Sequence, residues 1–186
     1  MAKKVDSMLS PPEKIQKVLT KLGEFPKEIR EKFEPLYQDL PVLGPFKNQN
    51  DSTYTGQYKN GVRTGFGKLV WKDGSVYEGF WEEDKSHHWG RLIKADCDVY
   101  EGEWLNDQAH GKGKYVHTDG TTYEGDWVED KQTGFGIETW VDQSTYTGNF
   151  LNSNKHGKGV FRWADGSMYD GTLKDNNISG RGNFFL

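Results

Sequence analysis

The chain has 186 residues, 24 basic and 28 acidic side chains, a net charge of −4 at pH 7 and a single cysteine. No apolar run approaches the roughly 18 residues of a membrane-spanning helix, the lone Cys97 excludes an internal disulfide, and the acidic balance argues against a nucleic-acid binder, which carries a basic stripe. A mean hydropathy of −0.89 would suit a disordered chain, but the 26 aromatic residues, 22 of them beyond residue 50, supply the burial that disordered chains lack.

In chain order, Met1 to Ser10 lack the apolar stretch of a secretory signal. Ser10-Pro11-Pro12-Glu13 reads as a capping box with proline at the first helical position. Ile15, Val18, Leu19 and Leu22 mark one helical face, and Gly23 ends the helix. A second short helix is expected from Pro26, with Ile29 and Phe33 inward, until Pro35 stops it. Leu40 to Phe46 should form an extended arm. Residues 1–50 hold 9 basic and 7 acidic side chains and residues 51–186 hold 15 and 21, so the two segments differ in sign and are read as separate domains. Three roles stand open for this head: a cap over the first repeat, a docking element for a partner or another copy, or a membrane-surface helix using Lys14, Lys17 and Lys21.

From residue 51 the chain is periodic. Six Tyr-x-Gly triplets, beginning at Tyr54, Tyr77, Tyr100, Tyr123, Tyr146 and Tyr169, fall 23 residues apart with no insertion. Such a period marks stacked supersecondary units, none of which buries its apolar face alone. With each tyrosine as position 0, position 2 is glycine throughout (Gly56, Gly79, Gly102, Gly125, Gly148, Gly171), and so is position 13 (Gly67, Gly90, Gly113, Gly136, Gly159, Gly182). Position 4 is Tyr58, Trp81, Trp104, Trp127, Phe150 or Leu173. These positions share parity, so on strands they face one way. Leu69 and Trp71, Tyr115, and Phe161 and Trp163 continue the glycine strands in steps of two. Turn residues lie between the strands, and each unit reads as a β-hairpin. Recurrent strand glycines imply that something large covers the bare backbone, and the aromatics at positions 0 and 4 of adjacent hairpins are the expected cover.

Catalysis and metal binding find little support in this pattern. Equivalent positions in successive hairpins lie on the order of 10 Å apart, so His87, His110 and His156, all at position 10, cannot converge on one ion. His87 and His88 should point to opposite faces of a strand. The position 19 aspartates Asp73, Asp96, Asp119, Asp142 and Asp165 are read as turn formers. No catalytic, cofactor or metal residues are assigned. Tyr77, Tyr100, Tyr123 and Tyr146, with Trp81, Trp104 and Trp127, are the candidate partner anchors wherever an edge faces a groove; stacking between hairpins is the competing use of the same rings. Glu78, Glu101 and Glu124 at position 1 form a column on the other face, either solvated or open to a basic strip.

The pattern Tyr-x-Gly-x-Trp, a turn, then Gly-x-Gly, over residues 51 to 186, resembles the MORN (membrane occupation and recognition nexus) repeat. His88, Cys97, Gln143 and Leu173 depart from the pattern. The resemblance implies an all-β solenoid, an elongated single-layer ribbon of six antiparallel hairpins with a groove along one face, preceded by the short helical extension. It further implies a scaffold with no chemistry of its own that binds an elongated protein partner. Motifs such as Trp163-Ala164-Asp165-Gly166-Ser167 look like those of ciliate MORN proteins and imply a cytoplasmic place in cytoskeletal or axonemal assemblies such as the radial spoke. The alternative is a membrane-proximal adaptor that tethers a complex to anionic lipid. A homodimer through terminal edge strands is a further expectation, because an open end presents unpaired strand backbone and Gly180 to Leu186 ends in the apolar Phe184, Phe185 and Leu186; the alternative is that a larger assembly covers this end.

Overall fold

The computed structural model describes residues 10–186; the signal-sequence reading of the first nine residues lies outside the described residues. Among the described residues there are two α-helices, α1 (Glu13–Leu22) and α2 (Lys27–Phe33), followed by a 3-10 turn at Glu34–Leu36. Thirteen strands follow: β1 (Val42–Lys47), β2 (Thr53–Lys59), β3 (Val62–Val70), β4 (Val76–Glu82), β5 (Lys85–Ile93), β6 (Val99–Leu105), β7 (Gln108–Val116), β8 (Thr122–Val128), β9 (Lys131–Thr139), β10 (Thr145–Leu151), β11 (Asn154–Arg162), β12 (Met168–Lys174) and β13 (Asn177–Phe185). They form one open antiparallel sheet in sequence order. This is the all-β succession of hairpins that the period predicts, with one strand more: Leu40 to Phe46, expected as an arm, supplies β1, which pairs with β2 from Val42↔Gln57 to Lys47↔Thr53.

Local chemistry makes each hairpin. The two tip residues both have positive φ, as in Asn60-Gly61, Asn106-Asp107 and Asn152-Ser153, the geometry of a type I′ turn whose twist matches the strands. A bulge follows at position 11, where Gly65, Gly111, Gly134, Gly157 and Gly180 have positive φ. The aspartates of position 19 accept from the backbone N–H two residues on: Ser75 to Asp73 (2.9 Å), Thr121 to Asp119 (2.8 Å), Ser144 to Asp142 (2.9 Å) and Ser167 to Asp165 (2.9 Å). The next position is left-handed; Cys97 and Gln143 sit there with φ of 76° and 70° where other repeats place glycine.

Two compact units divide the chain, one reaching Val99 and including Trp104–Asp107, the other made of Tyr100–Glu103 and Gln108–Leu186. In the first unit α1 begins at Glu13 with Pro12 as its cap and no side-chain cap bond. The capping box expected at Ser10 does not form: Pro11 precedes a proline and is held out of the helical region, so the helix starts at Glu13 rather than at Pro11, and Pro12 O accepts its first bonds, from the Ile15 and Gln16 N–H groups. Ile15 is wholly buried. Phe25 and Tyr37 pack with Phe80, joined by Ile29, Phe33, Leu40, Phe66 and Trp89. Phe25 meets Phe66 and Trp89 edge-on at 4.8 and 5.1 Å. The head therefore lies over the face of β3, β4 and β5 and leaves β1 as the edge. Arg91 fastens it, donating to Gly23 O (2.9 Å) and to Glu78 (2.8 Å).

The opposite face of the first unit carries a row of facing glycines, Gly56↔Gly67↔Gly79↔Gly90. The second unit continues the same construction, with Gly113↔Gly125↔Gly136↔Gly148↔Gly159↔Gly171↔Gly182 in register.

Candidate interaction surface

The residue that covers the glycines is the tyrosine of the same hairpin. A Cβ on Gly136 would fall 2.5 Å from Tyr123 Cε2 and 2.6 Å from its Oη, closer than any side chain tolerates. The phenol then donates to the carbonyl three residues on: Tyr54 to Gln57 (3.2 Å), Tyr77 to Phe80 (3.0 Å), Tyr100 to Glu103 (2.9 Å), Tyr123 to Asp126 (2.9 Å), Tyr146 to Asn149 (3.0 Å) and Tyr169 to Thr172 (3.1 Å). Only the position 4 ring comes from a neighbouring hairpin. Trp81, Trp104 and Trp127 donate to Gly67, Gly90 and Gly113 carbonyls at 3.3, 3.1 and 3.1 Å. The expectation of cover from adjacent hairpins is thus corrected for the tyrosines. Position 13 comes opposite position 2 in the hairpin register, which brings the glycine pair under the hairpin's own ring.

Tyrosines and position 4 rings alternate edge-to-face along each unit. In the first, Tyr54–Trp81, Trp81–Tyr77 and Tyr77–Trp104 have centroids 5.5, 4.9 and 5.2 Å apart. In the second, Tyr100–Trp127, Trp127–Tyr123, Tyr123–Phe150 and Phe150–Tyr146 stand at 5.1, 5.3, 4.9 and 5.2 Å. Each such pair contributes about 0.5–1.5 kcal/mol beyond area burial. Burial holds the phenols of Tyr54, Tyr100, Tyr123 and Tyr146 above their ordinary value, Tyr146 at about 12. All seven candidate anchors sit in this ladder, the most exposed, Trp104, at 8%.

The accessible aromatics are a different column. Positions 15 and 17 share parity with the glycines, and apart from the buried Leu69 their side chains stand beside the ladder partly or largely exposed. In the first unit Leu69, Trp71 and Leu92 join Tyr58 around a concavity of about 900 Å³, with Tyr77, Trp81 and Trp104 also in its wall. Its rim is polar. Arg63, 4.3 Å above the Trp81 ring, is held by Asp84 at 3.0 Å. In the second unit Trp140, Phe161, Trp163 and Phe184 stack nearly parallel, with centroid spacings of 6.0, 5.6 and 6.3 Å. Lys155 lies 4.9 Å over Trp140 and pairs with Glu138. The steps of two after each glycine pair were the available sequence signal for this column; parity alone does not say which ring of a face is covered.

The other predicted polar features also find places. Glu78 is paired with Arg91 at 2.7 Å and Glu124 with Lys114 at 3.8 Å, so these members of the glutamate column are engaged within the chain. His87 and His88 do not diverge. His88 has φ of 59°, which breaks the strand alternation, and both rings turn to Glu82, His87 Nε2 at 3.3 Å and His88 Nε2 at 4.0 Å. His88 also stacks on Phe33 (4.8 Å) and meets Tyr37 Oη through Nε2 (2.9 Å).

No curated protein matches the chain. Among solved structures it is similar to the G-box domain of the microcephaly protein CPAP, whose analysis suggests a role in centriole elongation, at 13% identity and a TM-score of 0.48, over 74% of this chain and 70% of that one. It is also similar to the TCP domain of Drosophila melanogaster SAS-4 (dCPAP), in complex with a proline-rich motif of Ana2 (dSTIL), at 15% identity and a TM-score of 0.41, over 73% and 75%. The Danio rerio CPAP TCP10 domain in complex with a STIL peptide is similar at 15% identity and a TM-score of 0.31, over 74% and 68%. Among the described residues no helix is long and apolar enough to cross a membrane. The MORN-repeat family model matches residues 54–76, 100–122, 123–145 and 146–168. Each match begins at a ladder tyrosine and runs to the residue before the next, and the hairpin, ring and glycine pair recur in the same register, so the chain is a MORN-repeat protein.

Proposed function

We propose that this MORN-repeat protein is a non-catalytic protein-interaction scaffold whose partner reads the aromatics of positions 15 and 17, repeat after repeat, over a floor made by the buried ladder. The observation that carries this reading is the accessible ring column beside the ladder: Trp71 at the first unit's concavity and the Trp140–Phe161–Trp163 stack in the second. Large rings with few rotamers and a rim of fixed charges make good protein contact surface. The predicted anchors Tyr77, Trp81 and Trp104 contribute edges to the concavity wall, and their main role is to hold the hairpins. An elongated protein of a cytoskeletal or axonemal assembly, such as a radial spoke, suits a repetitive surface and the family resemblance. The membrane-adaptor reading has less support, because α1 turns Ile15 into the protein and Lys17 is paired with Glu13.

The test is affinity capture by the full chain from a cytoskeletal extract, followed by cross-linking and mass spectrometry. Cross-links clustered beside Trp71, Trp140 and Trp163 are expected. A retained partner cross-linked solely to residues 13–40, or the loss of all capture once lipid is removed, would overturn this placement.

A further inference from the structure

The second repeat alone combines glutamate at position 5 with histidine at positions 10 and 11; the other repeats carry Lys59, Leu105, Val128, Leu151 or Lys174 at position 5 and glycine at position 11. A non-glycine residue in the left-handed region costs about 1–2 kcal/mol, and such departures gather at functional positions. The departure has a geometric result. The bulge swings His88 alongside His87, with ring centroids 4.7 Å apart and planes at 89°. One donor atom from each of Glu82, His87 and His88 lies within 4.8 Å of the other two. His87 Nε2 stands 3.3 Å from Glu82 Oε2, about the spacing of two ligands on one tetrahedral zinc with bonds near 2.0–2.2 Å. Its other nitrogen, Nδ1, is buried without a hydrogen-bond partner.

We propose that Glu82, His87 and His88 bind a divalent transition metal of the zinc class, a site beyond the scaffold reading and independent of it. Two imidazoles and one carboxylate form a three-ligand set that leaves a fourth position for water. Nitrogen donors favour zinc and its neighbours over magnesium or calcium, which prefer all-oxygen shells. Closure requires His88 Nε2 to approach Glu82 by less than about 1 Å from its present 4.0 Å. To ligate, His88 Nε2 gives up its 2.9 Å hydrogen bond with Tyr37 Oη, and the freed hydroxyl stands where it can bond the water of the fourth position. Because Tyr37 belongs to the head and Phe33 of α2 stacks on His88, the metal ties the helical segment to β5.

The experiment is titration of the full chain, purified without a histidine tag and treated with chelator, using Co²⁺ followed by visible ligand-field absorption and Zn²⁺ followed by calorimetry. One equivalent should bind, Zn²⁺ should displace Co²⁺, and Mg²⁺ should not compete. Glu82→Gln and His87→Gln should each weaken binding at least about 10-fold. His88→Gly restores the residue of the other repeats and relieves the left-handed φ, so it should fold, with any melting shift set by the lost Phe33 and Tyr37 contacts, while losing the cobalt spectrum. Equal Co²⁺ affinity and spectrum in wild type and a folded His87→Gln/His88→Gly double variant would overturn the proposal, and so would no binding at all by the wild-type chain.

Discussion

A tyrosine laid over two facing glycines and bonded to a carbonyl three residues on is the smallest structural unit of this protein. No side chain can be added beneath it without displacing the ring. Gly136→Ala should therefore lower stability by about 1–3 kcal/mol, the usual cost of overpacking, and thermal melting would measure it; an unchanged melting temperature would mean that the ring is not seated as described. The columns at positions 0, 2 and 13 were legible in the sequence because steric necessity keeps the same residue in six copies. The owner of the covering ring was not legible. Parity along a strand gives the face, whereas cross-strand register, here Gly125↔Gly136, decides which hairpin's tyrosine arrives. The rings at positions 0 and 4 are the most regular because they pack the hairpins together; positions 15 and 17, where we propose partner contact, vary among leucine, lysine, histidine, glutamate and aromatics.

At the scale of the hairpin, a reciprocal pair of hydrogen bonds joins each tip to the repeat before it. Asp130 N–H donates to Ala109 O (3.0 Å), and Ala109 N–H donates to Asp130 Oδ1 (2.7 Å). The same pair recurs with Asp84 and Arg63, Asp107 and Ser86, and Asn176 and Lys155. Position 7 thus needs a short acceptor. The first repeat, which has no hairpin before it, carries Gly61 there. Asp130→Ala leaves the buried Ala109 N–H without its acceptor and should cost about 1–3 kcal/mol, while Asp130→Asn should recover most of that loss, as Asn176 does in its own repeat. Chemical denaturation of both variants checks the difference, and equal losses would contradict the staple. This column was readable in the sequence as a run of Asp, Ser and Asn, but those residues also mark ordinary turns. The docking of the head was likewise half visible. Phe66, Phe80 and Trp89 stand where later repeats mostly carry charged or polar residues such as Lys112, Glu103 and Asp126, and that local apolar excess is the face the helices cover.

For the molecule as a whole, the buried phenols of Tyr54, Tyr100, Tyr123 and Tyr146, raised by burial, give proton linkage in both units. Phenols whose folded pKa lies above the unfolded value near 10 add stability that is complete below pH 10 and is lost as pH rises through the folded value. For Tyr146 that window runs from 10 to about 12. Absorbance of tyrosinate in an alkaline titration should lag behind that of free tyrosine and then rise together with loss of the sheet; independent ionisation of the buried phenols before unfolding would contradict their packing. Hairpin succession and repeat number followed from the period alone, whereas the proposed binding surface rests on knowing which rings the fold consumes. The measurement that addresses the central claim most directly is the affinity of the captured partner for the chain carrying Trp71→Ala and Trp163→Ala, two rings outside the ladder. The expected result is a loss of at least about 10-fold, the worth of one buried aromatic contact, with melting shifted only slightly. Unchanged affinity in that folded variant would contradict the assignment of this ring column as the site of recognition.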